Sequence, residues 1–115
     1  MATPVHRCAD VDRALEFYVG VLGATLEFRE GTYCGVRWRE HRLHLSSNSG
    51  DGALGAATVL DVDDVDEVFA ALVKQGYRPP LDRGPVFAAP TDQTWGTREL
   101  YVADPDGNVL RFTQR

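Results

Sequence analysis

Basic side chains are in short supply in this sequence: 12 Lys and Arg face 17 Asp and Glu, for a net charge of -5 at neutral pH. Nucleic acid is therefore not the expected partner, because proteins that bind it present a basic face. The acidic balance suits either a cationic ligand or an ordinary solvated surface. No apolar run reaches the roughly 18 residues that a membrane-spanning helix needs. The opening MATPVHRCAD has no basic segment followed by an apolar one, so no secretory signal is expected and the cytoplasm is the expected compartment. Cysteine is scarce too. Cys8 and Cys34 show no CxxC spacing, and each reads better as a small buried hydrophobe than as half of a disulfide. Ser46, Ser47 and Ser49 stand in no nucleophile-elbow context, which leaves a serine hydrolase without a signature.

What is present fits one domain of 115 residues with a modest core. Residues 5–8 predict a first strand, with Pro4 at its start. Asp10 caps a helix whose apolar face is Val11, Ala14, Leu15, Tyr18, Val21 and Leu22, closed by Gly20 and Gly23. Strand-like runs follow at 25–29, 33–39 and 42–46, with Gly31 and the Glu40-His41 pair as turns. Residues 48–54, polar and glycine-containing, form a linker. Beyond it 56–62 predicts a strand. Asp63 or Asp64 then caps a second helix with Val65, Val68, Phe69, Leu72 and Val73 on its apolar face and Gly76 as its stop. Pro79-Pro80 and Asp82-Arg83-Gly84 break the chain, and 85–89 predicts a short strand. Module one (1–47) and module two (55–115) thus share the order βαβββ. Asp10-Val11-Asp12 and Asp64-Val65-Asp66 open the two helices alike, which suits an internal duplication.

The firmest local signal is a hairpin. Residues 97–103 and 109–113 are rich in β-branched, aromatic and apolar side chains, and Asp104-Pro105-Asp106-Gly107-Asn108 joins them. Proline presets φ at the first central turn position, and glycine takes positive φ without steric cost. The run WGTRELYVADPDGNVLRF, together with the opening ADVDRALEFYVGVLG, resembles the glyoxalase/bleomycin-resistance/dioxygenase group, or vicinal oxygen chelate superfamily, and within it the bleomycin-resistance branch. The resemblance implies an α+β fold in which two βαβββ modules form a cup-shaped mixed sheet with the helices outside.

Many members of that superfamily are metalloenzymes with His, Gln or Glu ligands on the first and fourth strands of each module. By position, these sites fall here on Thr3, His44, Ala57 and Arg111. Only His44 is a metal ligand by chemistry, since a catalytic zinc takes about three protein ligands and a guanidinium repels cations. No metal and no cofactor are therefore expected. His41 and His44 sit three apart on a strand and point to opposite faces. His6 is expected to pack under the first helix.

In the bleomycin-resistance branch the drug lies in a groove between two subunits, with flat aromatics on its planar rings and acids facing its cationic tail. By position, Trp95 matches the stacking tryptophan, Phe28 and Tyr33 match aromatics after the first helix, and Glu27 matches an acid beside them. Core packing is an equal reading for Phe28 and Tyr33. Strand parity adds Arg42, His44 and Ser46 on one strand, Glu99 and Tyr101 on another, and Val109, Arg111 and Thr113 on the last. Tyr101 stands opposite Arg111, as a cation–π pair or as simple packing, and Arg111 with Glu99 reads equally as a salt-bridged wall. The expected ligand-binding set is Trp95, Phe28, Tyr33, Glu27, Tyr101, Glu99, Arg111 and His44. Ala56, Ala57 and Val59 replace an aromatic common on the fifth strand of bleomycin binders, so a related planar natural product fits as well.

The reading is a non-enzymatic protein that sequesters an aromatic, cationic, bleomycin-like antibiotic as a homodimer, without membrane or nucleic-acid partners. The second copy would cover sheet edges left open by one chain. The alternative is a lyase, isomerase or dioxygenase of the same superfamily, with an unforeseen metal ligand set or with Tyr101, His44 or Glu99 as acid or base.

Overall fold

The computed structural model describes residues 2–115. The chain runs β1 (Val5–Arg7), α1 (Val11–Gly20), β2 (Thr25–Glu30), β3 (Tyr33–Trp38), β4 (His41–Ser46), β5 (Ala57–Asp61), α2 (Val65–Lys74), α3 (Pro85–Ala88), β6 (Thr91–Asp92), β7 (Arg98–Ala103) and β8 (Val109–Gln114). This is an α+β fold: the first half has the expected βαβββ order, and the second half follows it with one extra helix, α3, before β6. It forms two compact units. The first comprises Met1–Ala56 with Ala103–Asn108, and the second Ala57–Val102 with Val109–Arg115.

The first unit carries a sheet in the order β1-β4-β3-β2. β1 lies parallel to β4, with Val5 opposite His44 and Arg7 opposite Ser46, while β3 runs antiparallel to both β4 and β2. A parallel neighbour needs a long connection, and here it runs from β1 through α1, β2 and β3 to β4. Asp10 starts that helix by accepting a hydrogen bond from Asp12 N at 2.8 Å, the expected N-cap. Val11, Ala14 and Tyr18 are buried as their spacing requires, and Phe17 is buried beside them. They pack with Cys8, Cys34, Val36, Leu43 and Leu45 into one core. Each fully buried leucine there contributes about 2 kcal/mol of transfer free energy.

The turn at 104–108 belongs to this unit and is held by a buried network. Asp104 Oδ1 accepts from Asp106 N and Asn108 N, and its Oδ2 accepts from Tyr18 Oη at 2.7 Å and Asn108 Nδ2 at 2.8 Å. Asn108 Nδ2 also donates to the Arg7 carbonyl, and its Oδ1 accepts from Ala56 N. Burial, and then the Asp104 charge, push the Tyr18 pKa upward, so the hydroxyl keeps its proton. That single proton is committed to Asp104. The His6 Nδ1, 2.9 Å from the phenol oxygen, must therefore be the donor there. His6 is thus packed under α1 as expected, and burial holds its pKa down against the opposing pull of Asp104.

The second unit has a sheet in the order β5-β8-β7-β6, with β5 parallel to β8. α2 starts at Asp64, which accepts from Glu67 N at 3.1 Å, and it packs against β8. Val65, Val68 and Leu72 are buried, but Val73 is exposed and Phe69 is half-buried. The apolar stripe of α2 is narrower than its composition suggests.

Two local expectations are corrected. Residues 85–89 are not a strand. Pro85 occupies the first position of α3, where its missing N–H costs nothing, and the strand follows at Thr91–Asp92. The turn between β3 and β4 is Arg39-Glu40 rather than Glu40-His41. His41 opens β4 opposite Trp38 and stacks on its ring at 5.9 Å.

Tyr18→Phe removes the donor to Asp104 and the acceptor for His6 without changing the packed ring. It is expected to lower unfolding stability by about 2 kcal/mol, read from urea denaturation. An unchanged midpoint would show that the network does not stabilise this unit.

Candidate functional site

In the first unit the edge strand β2 is exposed along its whole length. Its register slips between Leu26 and Phe28, so Glu27 is an extra, bulged residue and Phe28 falls opposite Gly35. Gly35 sits between Phe28 on one side and His44 on the other. A Cβ on Gly35 would lie 2.8 Å from Phe28 Cδ1, 2.9 Å from Cζ and closer still to Cε1. The phenyl ring therefore occupies the space that a side chain at position 35 would need. Phe28 lies nearly parallel to Tyr33 (20°, centroids 6.2 Å apart) and edge-on to His44 at 5.2 Å. Tyr33 Oη and His44 Nδ1 are joined by a 2.6 Å hydrogen bond. Phe28 remains 41% exposed, a propped aromatic surface rather than a core residue.

Glu27 flanks this surface and is engaged by two arginines: Arg42 Nε at 3.0 Å and Arg37 Nε at 3.4 Å. The hydrogen bond from Arg42 is the largest cause that holds its pKa below the ordinary carboxylate value. Ser46, which parity placed beside Arg42 and His44, is buried and donates to Asp51.

The second unit offers a different surface. Gln93 N bonds the Thr97 carbonyl at 2.7 Å, and Gly96 N bonds the Gln93 carbonyl at 3.1 Å. The 104–108 turn repeats this pattern through Asp104 N to Asn108 O and Gly107 N to Asp104 O. Both are three-residue hairpin loops closed by a glycine in the left-handed region, with φ 97° at Gly96 and 83° at Gly107. The residue before the glycine is Trp95 in the 93–97 loop, where it is 63% exposed, and Asp106 in the 104–108 loop, where the side chain is only 4% exposed.

The indole is not free to swing. Its Nε1 donates to Glu99 Oε2 at 3.0 Å, and Thr97 Oγ1 donates to the same oxygen at 2.5 Å. Glu99 Oε1 accepts from Arg111 at 3.2 Å. Burial opposes the charge on Glu99, but the bonds from Thr97, Trp95 and Arg111 outweigh it and hold its pKa below the usual value. Arg111 in turn lies over the Tyr101 ring at 4.7 Å, confirming the cation–π alternative, and Phe87 of α3 meets Tyr101 edge-on at 5.5 Å.

The expected ligand-binding residues thus divide into two groups. Phe28, Tyr33, His44 and Glu27 come together in the first unit, and Trp95, Glu99, Tyr101 and Arg111 in the second. Glu99 is only 2% exposed, so it lies beneath the indole rather than on the surface. Gly35, Thr97 and Phe87 escaped the sequence reading. An isolated glycine inside the strand-like run YCGVRW is the signal that could have found Gly35, since such a residue marks a bulge or a close approach.

The positions that hold metal ligands in the superfamily's enzymes do not fit a cation here. Ala57 offers no donor atom, and Arg111 brings a guanidinium bound to Glu99. His44 already shares Nδ1 with Tyr33. Among the described residues, no group of three or more His, Cys, Asp or Glu side chains could hold a metal ion. Cys8 and Cys34 are free and buried, and burial, then Asp106, push the Cys8 thiol up to about 11, which removes it as a nucleophile. No helix is long and apolar enough to cross a membrane among the described residues.

Known proteins resemble this chain over its whole length. The profile of the Glyoxalase/Bleomycin resistance protein/Dioxygenase superfamily matches residues 4–112. The bleomycin resistance protein of Geobacillus stearothermophilus is 25% identical over 130 aligned positions, covering 97% of this chain and 94% of that protein. A bleomycin-binding protein crystallised in complex with bleomycin matches with a TM-score of 0.83 at 27% identity, covering 100% of this chain and 98% of that one. The bleomycin-binding protein of bleomycin-producing Streptomyces verticillus, complexed with copper(II)-bleomycin, matches with a TM-score of 0.76 at 27% identity, covering 99% and 94%.

Gly35→Ala is expected to push the Phe28 ring off the sheet and cost about 1–2 kcal/mol. Most of that cost should vanish in a Phe28→Ala background, because the three atoms nearest to the added Cβ all belong to that ring. Equal costs in both backgrounds, measured by denaturant unfolding, would contradict the cradle.

Proposed function

The chain belongs to the glyoxalase/bleomycin resistance protein/dioxygenase superfamily, and from that premise we propose that it is a non-enzymatic binder. It sequesters a flat, aromatic, cationic antibiotic of the bleomycin type, or a related natural product. The observation that carries this reading is an exposed aromatic ring held still in each unit, Phe28 over Gly35 and Trp95 on Glu99. Stacking on a ring that is already fixed avoids the ordering cost of about 0.5–1.5 kcal/mol per immobilised side chain. Large rings also give contact area with few rotatable bonds.

Charge supports the cationic part of the ligand. The chain is acidic overall, and Glu27 stands beside Phe28. Its bonds to Arg42 and Arg37 are solvent-accessible ion pairs, worth about 0–1 kcal/mol. A ligand cation can replace either arginine at little cost. Sequestration without chemistry is supported by the residues at the superfamily's ligand positions, Thr3, His44, Ala57 and Arg111, which do not make a metal-binding set.

The groove between two subunits is part of the proposal. β2 is an exposed edge strand that presents Leu26 and Phe28, and Val59 is exposed on β5. Open edges with apolar side chains are surfaces that a second copy can cover.

Titration with metal-free bleomycin is expected to quench the tryptophan emission saturably. Trp95→Ala and Phe28→Ala should each weaken binding about tenfold or more. A wild-type protein that shows no saturable change with bleomycin or with polycyclic aromatic compounds would contradict the reading. Sedimentation at micromolar concentration is expected to give a dimer, and a monomer at every concentration would rule out the shared groove.

A further inference from the structure

We propose that Glu99 is the positioning residue of the Trp95 surface: its buried carboxylate fixes the indole in the orientation on which a planar ligand stacks, without itself touching that ligand. The inference rests on the reading of Trp95 as a stacking surface. It adds a residue that acts through another.

An indole has a single polar atom. At an exposed loop tip, water would satisfy it without any partner from the protein. Trp95 instead turns Nε1 inward to a carboxylate that is 2% exposed, leaving its ring 63% exposed. A hydrogen bond to an ionised acceptor is about twice as strong as a neutral one, and in a buried setting it competes with little water. It restricts the two side-chain torsions that would otherwise let the ring sweep across the loop.

The two oxygens of Glu99 have separate partners. Oε1 takes Arg111, and Oε2 takes Trp95 and Thr97 together. A carboxylate present only to neutralise Arg111 would need one of them. The other is spent on the loop that carries the tryptophan. Behind it, Arg111 over Tyr101 and Phe87 against Tyr101 fix the far side of the row on β7 and β8. The loop itself is short and closed by Gly96, so the tether and the turn together leave the indole little freedom.

Glu99→Gln separates the two functions. An amide offers one acceptor oxygen, which can face either Trp95 and Thr97 or Arg111. The other side then meets an NH2, donor against donor. Glu99→Asp is the second variant: it keeps a charge near Arg111 and shortens the arm by one methylene, so it slackens the tether while preserving the ion balance.

The test reads the Trp95 indole N–H resonance in the free protein, assigned by its loss in Trp95→Phe, alongside the affinity for metal-free bleomycin. In the wild type this N–H should exchange slowly with water. In Glu99→Gln and Glu99→Asp it should shift and exchange faster, while the Trp38 resonance stays in place. Bleomycin affinity should fall about tenfold in Glu99→Gln, and the same substitution should have little effect in a Trp95→Phe background, which has no N–H to hold. A Trp95 resonance unmoved in both variants would overturn the proposal. So would an equal loss of affinity in the Trp95→Phe background, since Glu99 would then act on the ligand or on the fold. Should the wild type fail to bind bleomycin, the functional reading fails, and the resonance still decides whether Glu99 holds Trp95.

Discussion

Each of the two three-residue hairpin loops is pinned by a carboxylate that is itself almost wholly buried. Asp104, 6% exposed, closes the 104–108 turn and receives Tyr18 and Asn108; Glu99, 2% exposed, receives Trp95, Thr97 and Arg111. A carboxylate taken from water is costly unless its lone pairs are filled. The donors around it are therefore held obligately, and a loop that supplies one loses its freedom. The same backbone pattern serves two ends. In the first unit it ties a turn down into the core network with His6 and Tyr18. In the second it offers an aromatic ring outward while gripping the one atom by which the ring can be held.

Phe28 reaches the same condition by another route. No hydrogen bond is available to a phenyl ring, so its position is fixed by shape. The bulge at Glu27 re-aims it, Gly35 leaves room for it, and the Tyr33–His44 pair closes the sides. Both surfaces thus combine exposure with restraint, the property on which the proposed recognition role of the two rings rests. Leu81 illustrates the contrast: it lies in the break between α2 and α3 and is 85% exposed, against 41% for Phe28.

Much of this was legible in the residues alone. Helix starts at Asp10 and at the Asp63-Asp64 pair, the periodicity of α1, and the proline and glycine of the 104–108 turn each carry a local mechanism, and together they point to the βαβββ order; the structure places the second cap on Asp64. The opposition of Tyr101 and Arg111 followed from counting outward from the turn. Depth was not legible. Strand parity put Glu99 on the right face but could not say that it lies beneath an indole, because parity reports direction and not how much covers a side chain. Residues 85–89 misled because valine and phenylalanine favour strands, whereas the backbone set by Gly84 and Pro85 decided in favour of a helical turn. Glu27 was legible as an acid beside an aromatic, but its two arginine partners come from β3 and β4, and only the register of the sheet brings them together.

In the proposed function, ligand recognition is carried by restrained, exposed rings rather than by chemistry at a metal or an acid–base pair. The aromatic side-chain NMR spectrum tests this most directly, recorded before and after addition of bleomycin. Shifts concentrated on the rings of Phe28, Tyr33 and Trp95 are expected. Shifts confined to other residues, with those three rings unchanged in the complex, would contradict it.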